Sequence, residues 1–411
     1  MTQAACHMKF RESLILYASL TSLTALSIDA LLPGLRAIGE EFGATPLLST
    51  QHVISLFIFG MAFGELLLGP LSDAIGRKRA LLFGLGLYAI GTLIALSSQS
   101  LEMVVLGRFL QGAGVSGPKI ATRAMIRDQF DGSAMARVMS LMFTLFILVP
   151  MIAPALAMGL ISVAGWRSIF VAYLLIALTL GLWLAIRHPE TLPAHRRIPV
   201  RPRLLLTNGF RIVANARVML LTVATGLVFG AQLLYLSTAA DIFHDAYGVT
   251  ESLPLYFAGL AISMALAFFL NSRLVQRFGM EAMARAAFIG FAGSAVSMMS
   301  ACLLLDNELP FPAFLATLFV TFFATGLLFG NLNALAMQSL GEIAGFGASI
   351  IASGSSLVST VFALVFGRFY DGNSLYLAAG FVVASICSLV LAEIGLRSDP
   401  SPVRAAQPAH N

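Results

Sequence analysis

Residues 69–79 read Gly-Pro-Leu-Ser-Asp-Ala-Ile-Gly-Arg-Lys-Arg, a charged stretch that separates two long apolar segments of the chain. A weaker copy, Leu-Val-Gln-Arg-Phe-Gly, lies at residues 274–279 in the second half. Gly76 aligns with Gly279, and the same offset aligns the polar residues that precede them. This internal repeat predicts two similar halves, each containing the same pair of helices and the loop between them.

The composition indicates a membrane protein. Hydrophobic residues make up 58% of the 411 residues and charged residues only 11%, against roughly 25% charged in ordinary soluble domains. The apolar residues form blocks of about 20, the length at which a helix crosses a bilayer with every backbone group bonded internally. We therefore predict an all-α membrane protein with twelve transmembrane helices in two six-helix bundles. The predicted spans are 14–35, 53–68, 81–97, 103–121, 138–161, 169–186, 218–239, 255–270, 286–305, 314–335, 350–366 and 375–391.

The segment between Arg187 and Arg217 holds several prolines and most of the charge in the middle of the chain. Such a composition is typical of a linker. We predict an N-terminal six-helix bundle at 1–187, a cytoplasmic linker at 188–217, a C-terminal six-helix bundle at 218–397 and a disordered tail at 398–411.

The basic residues predict the orientation, because Lys and Arg collect in short loops on the cytoplasmic side. With the N-terminus inside, most of the 25 Lys and Arg residues fall in cytoplasmic segments, so both termini are predicted to be cytoplasmic. The basic run from Arg196 to Arg203 is interpreted as an inside anchor and not as a nucleic-acid patch. Lys9 and Arg11 precede the first apolar block, but no small-residue cleavage site follows it, which favours a retained helix over a secretory signal.

The sequence contains no signature of a metal site, a cofactor or an enzyme. Cys6, Cys302 and Cys387 are far apart and lack metal-ligand spacing, so we expect no disulfide, metal or cofactor. Residues 112–117 spell G-x-G-x-x-G, but they lie in a predicted membrane helix, where small residues allow close helix contact. No H-E-x-x-H, nucleophile elbow or phosphate loop is present, which argues against an enzyme.

Three motifs are similar to those of a known family. Residues 69–79 match G-x-L-x-D-x-x-G-R-[RK] between the second and third membrane helices, and the fourth helix contains Arg108-x-x-Gln111-Gly. Residues 149–159 in the fifth helix read Val-Pro-Met-Ile-Ala-Pro-Ala-Leu-Ala-Met-Gly, with Ala157 where a glycine is usual. The chain thus resembles the major facilitator superfamily and, within it, the bicyclomycin/chloramphenicol resistance (Bcr/CflA) type of drug:proton antiporter.

The resemblance implies a monomeric exporter of the bacterial inner membrane, which exchanges protons for small, drug-like organic molecules by alternating access. A dedicated exporter of an endogenous metabolite such as a siderophore is the alternative, because the same branch includes such proteins. An importer also stays open, since a fold alone does not set the direction of transport. The expected partners are a small organic substrate, protons and the lipid bilayer, without nucleic acid.

Four ionisable residues lie deep in predicted spans, where each costs about 2.5 to 3.5 kcal/mol on insertion scales. We assign Asp29, Arg108 and Glu65 to proton coupling, and helix geometry places Asp29 and Arg108 at a similar depth. A permanent structural ion pair between these two is the alternative. We assign Lys119 to the substrate cavity, where its ammonium receives an anionic substrate. The alternatives are neutralisation by Glu65 and snorkelling to the interface.

The resemblance also implies a conformational latch in the charged loop, formed by Gly69, Asp73, Gly76 and Arg77. In it Asp73 engages a neighbouring helix end, where a carboxylate at a helix N-terminus is favourable by about 0.3 to 1 kcal/mol. Plain topogenic charge is an alternative that explains Arg77 but not Asp73.

The fifth helix and a set of polar residues complete the predicted site. Pro150, Pro154 and Gly159 form an antiporter helix, whose bend limits leakage and sets the direction to export; the alternative is that membrane helices tolerate these prolines. The substrate cavity takes further polar residues, which otherwise serve in packing: Gln111, Gln232, Tyr235, Asn331 and Asn333.

Overall fold

The computed structural model describes most of the chain, and every regular element in the described part is helical. Cys6, Lys9 and the predicted tail beyond Ser398 lie outside the described residues. The described ranges are 10–43, 48–130, 132–197, 201–249, 252–305, 309–340, 344–370 and 372–398.

The chain divides into two compact units, of which the first is Met1–Val200. Its second helix is short, and the other six are long enough to cross a membrane. The helices are α1 (Phe10–Asp29), α2 (Leu35–Phe42), α3 (Gln51–Ile75), α4 (Arg77–Leu96), α5 (Leu101–Gln129), α6 (Gly132–Ala164) and α7 (Arg167–Arg187).

The second unit is Arg201–Asn411 and has one short helix followed by six long ones. These helices are α8 (Pro202–Ala214), α9 (Ala216–Asp245), α10 (Leu253–Phe278), α11 (Met280–Leu304), α12 (Phe311–Met337), α13 (Ala344–Gly367) and α14 (Leu375–Arg397).

The twelve long helices correspond to the twelve predicted spans. Ten spans are long and apolar enough to cross a membrane by length and composition. The other two are α5, which carries Arg108, Lys119 and Arg123, and α6, whose described apolar part is Leu148–Ala164. The prediction of an all-α membrane protein with twelve transmembrane helices is confirmed.

The helix ends differ from the predicted spans. α5 continues well past its predicted end to Gln129, because polar residues extend a helix beyond its apolar part. α1 stops at Asp29, earlier than predicted, and a short 3₁₀ turn at Leu32–Gly34 leads into α2. Pro33 lies in this turn; it has no N–H to donate and disfavours helical geometry in the residue before it.

The predicted linker at 188–217 contains a helix. α8 begins at Pro202, at the helix position where a missing N–H costs nothing. The bundle limits at 187 and 218 and the linker between them stay a prediction.

Close packing in the first unit occurs where α5 crosses α3 and α4. A Cβ atom on Gly112 would lie 1.9 Å from the carbonyl oxygen of Phe57, and one on Gly60 would lie 2.0 Å from that of Phe109. On the other side, a Cβ on Gly114 would lie 2.3 Å from a backbone nitrogen of α4. The glycines of the 112–117 run therefore allow backbone-to-backbone contact, as predicted from their small size.

Candidate functional site

Arg108 is fully buried and clamps three helices together. Its Nε donates to the carbonyl of Val53 in α3 at 3.1 Å, and its Nη2 donates to the carbonyl of Ser27 in α1 at 2.9 Å. The third nitrogen, Nη1, donates to Oε1 of Gln111 at 2.9 Å, and the guanidinium lies 4.2 Å from the ring centroid of Phe57. All three guanidinium nitrogens are therefore used, two of them by backbone carbonyls.

Where α1 stops at Asp29, the N–H of Leu31 donates to the carbonyl of Ile28 at 3.3 Å and not to that of Ser27, so the Ser27 carbonyl loses its i+4 backbone donor. Besides Arg108, the hydroxyl of Tyr173 in α7 donates to the carbonyl of Leu26 at 3.1 Å. A cation near the C-terminus of a helix also interacts favourably with the helix dipole. Arg108 thus caps α1 and fixes the position at which the helix ends.

Asp29 is the last residue of α1 and is buried. Its carboxylate has neither a hydrogen bond nor an ion pair with any residue that the structure describes. Arg108 donates to the carbonyl of Ser27, two residues before Asp29, and not to the carboxylate of Asp29. The alternative of a permanent Asp29–Arg108 ion pair is therefore wrong for this conformation.

Gln111 is fully buried, and its amide is used on both sides. Its oxygen accepts from Arg108, and its nitrogen donates to Thr92 Oγ1 in α4 at 2.6 Å. Gln111 was predicted to line the substrate cavity, but these bonds hold it in the interior as a support for Arg108.

A second cluster lies further along α5. Lys119 forms an ion pair with Glu65 of α3, which is wholly buried, while Lys119 is partly exposed. The ammonium also lies 3.6 Å from the sulfur of Met61. Arg123, one turn beyond Lys119, is exposed and close enough to Glu65 to interact with it electrostatically.

Arg123 was not predicted as a site residue, because the hydropathy pattern ended the fourth span at residue 121. The signal that identifies it is its spacing: it follows Lys119 by four residues, which puts both cations on one face if the helix continues.

The charged loop lies at the end of α3 and the start of α4, and its turn requires glycine, since Gly76 has a φ of +105°. Arg77 forms an ion pair with Asp73 and donates to Ser72 Oγ at 3.0 Å. Its Nε donates to Asp128 at the end of α5 at 3.1 Å. The loop is therefore tied to α5 through a single arginine.

The acid at the N-terminus of α4 is Glu190, which follows α7 and was missed in the sequence. It accepts hydrogen bonds from the backbone N–H groups of Arg77 at 2.9 Å and Lys78 at 3.2 Å. Asp73 lies in the last turn of α3 and Gly69 lies buried inside the same helix, so the engagement of a neighbouring helix end by Asp73 stays a prediction. In the sequence, the local signal for this cap is a glutamate three residues after the end of α7.

His188 is buried at the same end of the unit. Its Nε2 is 2.6 Å from the hydroxyl of Tyr17 in α1, and its Nδ1 is 2.7 Å from the carbonyl of Pro189. Burial lowers the pKa of the His188 imidazole below its ordinary value of 6.5. The imidazole is thus held neutral between α1 and the segment after α7.

The predicted antiporter helix is α6, which runs through both Pro150 and Pro154. Ala153 and Ala157 are buried on this helix, at 2% exposure each. Gly159 is exposed and has no described atom within 4 Å of the position of a Cβ. Among the described residues, the buried positions of this stretch are therefore the two alanines and not Gly159.

The predicted cavity residues of the second unit differ in exposure. Tyr235 is fully buried between the rings of Phe257 and Phe322, and its hydroxyl has no partner among the described residues. Asn331 is buried and donates to Oδ1 of Asn271 at 2.7 Å. Both lie in the interior of the unit, where they pack. Gln232 and Asn333 are partly exposed, and Asn333 bonds to its own helix.

Comparison with known proteins identifies the family. Residues 17–363 match the sequence model of the Major Facilitator Superfamily. The chain belongs to this superfamily. It is 28% identical to the bicyclomycin resistance protein homolog of Haemophilus influenzae over 81% of this chain and 83% of the relative. It is 31% identical to the chloramphenicol resistance protein CraA of Acinetobacter baumannii over 54% and 53% of the two chains.

A solved superfamily structure has the same fold. The crystal structure of a D-xylose-proton symporter superposes with a TM-score of 0.70 over 92% of this chain and 97% of the other, at 16% identity. The protein is thus a multi-pass membrane transporter of the Major Facilitator Superfamily, and the predicted resemblance is confirmed.

In this superfamily member, α5 connects the three clusters of the first unit. Arg108, Lys119 and Asp128 lie along one helix, about 16 Å and 14 Å apart at 1.5 Å per residue. α5 therefore contributes one residue to each cluster: the arginine at the end of α1, the partner of Glu65 and the acid that holds the charged loop.

Proposed function

We propose that this transporter exports small, drug-like organic molecules across the bacterial inner membrane in exchange for protons, as a monomer with both termini in the cytoplasm. The observation that carries the proposal is the buried carboxylate of Asp29, which has no partner among the described residues. The names of two similar proteins, a bicyclomycin resistance protein homolog and a chloramphenicol resistance protein, support drug-like substrates.

Asp29 exchanges the proton. An ionised carboxylate is costly inside a membrane protein when no cation or donor satisfies it. Taking a proton removes this cost, and access to water restores the ionised form. Arg108 tunes the exchange because it lies nearby but spends its donors on the carbonyls of Ser27 and Val53. When α1 moves, these bonds break and the guanidinium is released toward Asp29.

The charged loop acts as the latch. Arg77 holds Asp73 and Asp128 together, and Glu190 holds the start of α4. Hydrogen bonds to charged groups contribute about 1.5 to 3 kcal/mol each. The bonds of this network add up, so they stabilise the conformation in which they form. Gly76 supplies the turn that brings these groups together.

Within each unit taken by itself, we assign substrate contact to the predicted cavity residues that are accessible. Lys119 in the first unit and Gln232 and Asn333 in the second are partly exposed, in contrast to Gln111, Tyr235 and Asn331. Pro150 and Pro154 each remove a backbone donor from α6. With two hydrogen bonds fewer, this helix can bend during the transport cycle. Glu65 holds Lys119 in place and is the second candidate for proton coupling.

The test is proton release from acidified inverted vesicles when chloramphenicol or bicyclomycin is added. We expect release with the wild type and none with Asp29→Asn, which keeps the side-chain shape but binds no proton. Glu40→Gln, which removes an exposed carboxylate from α2, is the matched control and keeps release. Equal release by the wild type and Asp29→Asn excludes Asp29 as the proton carrier.

A further inference from the structure

Lys119 and Arg123 form a cationic site one turn apart on α5. Lys119 is partly exposed and Arg123 is exposed, although both belong to a helix that packs closely on α3 and α4. Only one face of this part of α5 is accessible, because the neighbours on the other faces are buried: Ala121, Thr122, Ala124 and Met125.

The site is not at the rim of the helix. At 1.5 Å per residue, Arg123 lies about 9 Å and Lys119 about 15 Å before the end of α5 at Gln129. Lys119 lies inside the predicted apolar span of α5 and Arg123 two residues past it, so the pair lies where the apolar part of the helix ends.

One acid serves both cations. Glu65 is wholly buried and forms an ion pair with Lys119, and its charge also acts on Arg123. Within the part of the chain that the structure describes, no carboxylate forms a hydrogen bond or ion pair with Arg123. Counting only these three described side chains, the cluster has two cations and one acid.

We propose that Arg123, together with Lys119, binds an anionic group of the transported molecule, and that this protein therefore prefers organic acids to neutral molecules of the same skeleton. The inference rests on the proposed function, because it takes the occupant of the site to be a transport substrate. A guanidinium presents a planar fork that matches a carboxylate, sulfonate or phosphate with two parallel hydrogen bonds.

Glu65 has a defined part in this site. Its buried carboxylate holds the Lys119 ammonium in place and limits the repulsion between the two cations while the site is empty of substrate. The incoming acid then takes the fork of Arg123 and makes its second contact with Lys119. The site lies about 16 Å along α5 from Arg108, so the acid and the proton on Asp29 occupy separate positions on one helix.

The test measures binding to the full-length protein in lipid nanodiscs, using chloramphenicol and its hemisuccinate as neutral and acidic probes of the same skeleton. Equilibrium dialysis gives the dissociation constant of each probe. We expect the wild type to bind the hemisuccinate at least tenfold more tightly than chloramphenicol, with a preference that declines as salt is added, since salt screens accessible charges.

Two substitutions of Arg123 separate charge from folding. Arg123→Gln is expected to reduce the preference to twofold or less, whereas Arg123→Lys keeps the charge and most of the preference. Arg127→Gln removes the same charge one turn further along α5 and is expected to leave the preference unchanged. A matching elution profile in size-exclusion chromatography confirms that each variant is folded.

Equal affinity of the wild type for the two probes, including no measurable binding of either, overturns the inference. The same holds if Arg123→Gln keeps the full preference, or if Arg127→Gln loses as much of it. Proton release that depends on Asp29 without any preference for acids leaves the proposed function in place and overturns the anion site alone.

Discussion

The seam between α3 and α5 is expected to be intolerant of a single added methyl group at Gly112. A Cβ there would lie 1.9 Å from the carbonyl oxygen of Phe57 and 2.9 Å from the backbone nitrogen of Met61. Ordinary contact begins at 3.4 Å, so the helices have to separate by about 1.5 Å. Because the atoms in the way are backbone, no side-chain rotation relieves the clash.

The expected loss of stability in Gly112→Ala follows from this geometry. Overpacking costs about 1 to 3 kcal/mol, and a clash with backbone belongs at the upper end. About 3 kcal/mol corresponds to a fall in the melting temperature of roughly 6 to 12 °C for a unit of this size. The matched control is Gly159→Ala in α6, where no described atom lies within 4 Å of the new Cβ. There the helix gains about 0.5 to 1 kcal/mol, because alanine loses less backbone entropy than glycine.

The assay is thermal unfolding of each purified variant, followed by the fraction that stays monodisperse after heating. The reasoning predicts that Gly112→Ala melts well below the wild type and that Gly159→Ala melts at or above it. A Gly112→Ala protein that melts with the wild type refutes the close approach of α3 and α5. If both variants are destabilised alike, the difference between the two glycines is refuted.

Two further predictions concern buried charge. Lys119→Met is expected to lower the free energy of unfolding by about 3 to 5 kcal/mol, because it breaks the ion pair of the wholly buried Glu65, and the double substitution with Glu65→Gln is expected to recover most of the loss. Melting temperatures check both, and a double variant no more stable than the single one contradicts the pairing. Stability is expected to fall as the pH drops below about 6.5, because the unfolded chain then binds a proton at His188 that the buried imidazole does not. Melting curves between pH 5 and 8 check this, and His188→Gln is expected to make the melting temperature less dependent on pH. If that variant shows the same pH dependence as the wild type, other groups cause it.

The sequence predicted where the functional helices are but not how their side chains are used. Arg108 was expected near Asp29 on grounds of depth, and it does lie near, yet its donors go to backbone carbonyls. The carbonyl of Ser27 is available because α1 ends at Asp29, and the end of a helix is set by tertiary contacts as well as by Pro33. Hydropathy carries no information on that point.

The ion pair between Glu65 and Lys119 was among the alternatives at the sequence level, and the structure contains it. Arg123 and Glu190 were missed for opposite reasons. Arg123 lies where an apolar block had already ended, although the helix continues. Glu190 lies in a segment without regular structure and meets α4 only through folding, more than a hundred residues along the chain.

The sequence by itself determined the class of the protein, its twelve membrane helices, the repeat at Gly76 and Gly279 and the family. These properties are sums or local patterns along the chain, because hydropathy and motif spacing belong to neighbouring residues. Only the tertiary structure decided that Asp29 is buried without a described partner, that Glu190 caps α4 and that Arg123 is exposed. Each of these depends on which helix faces meet and where each helix stops, and contacts between distant residues control both.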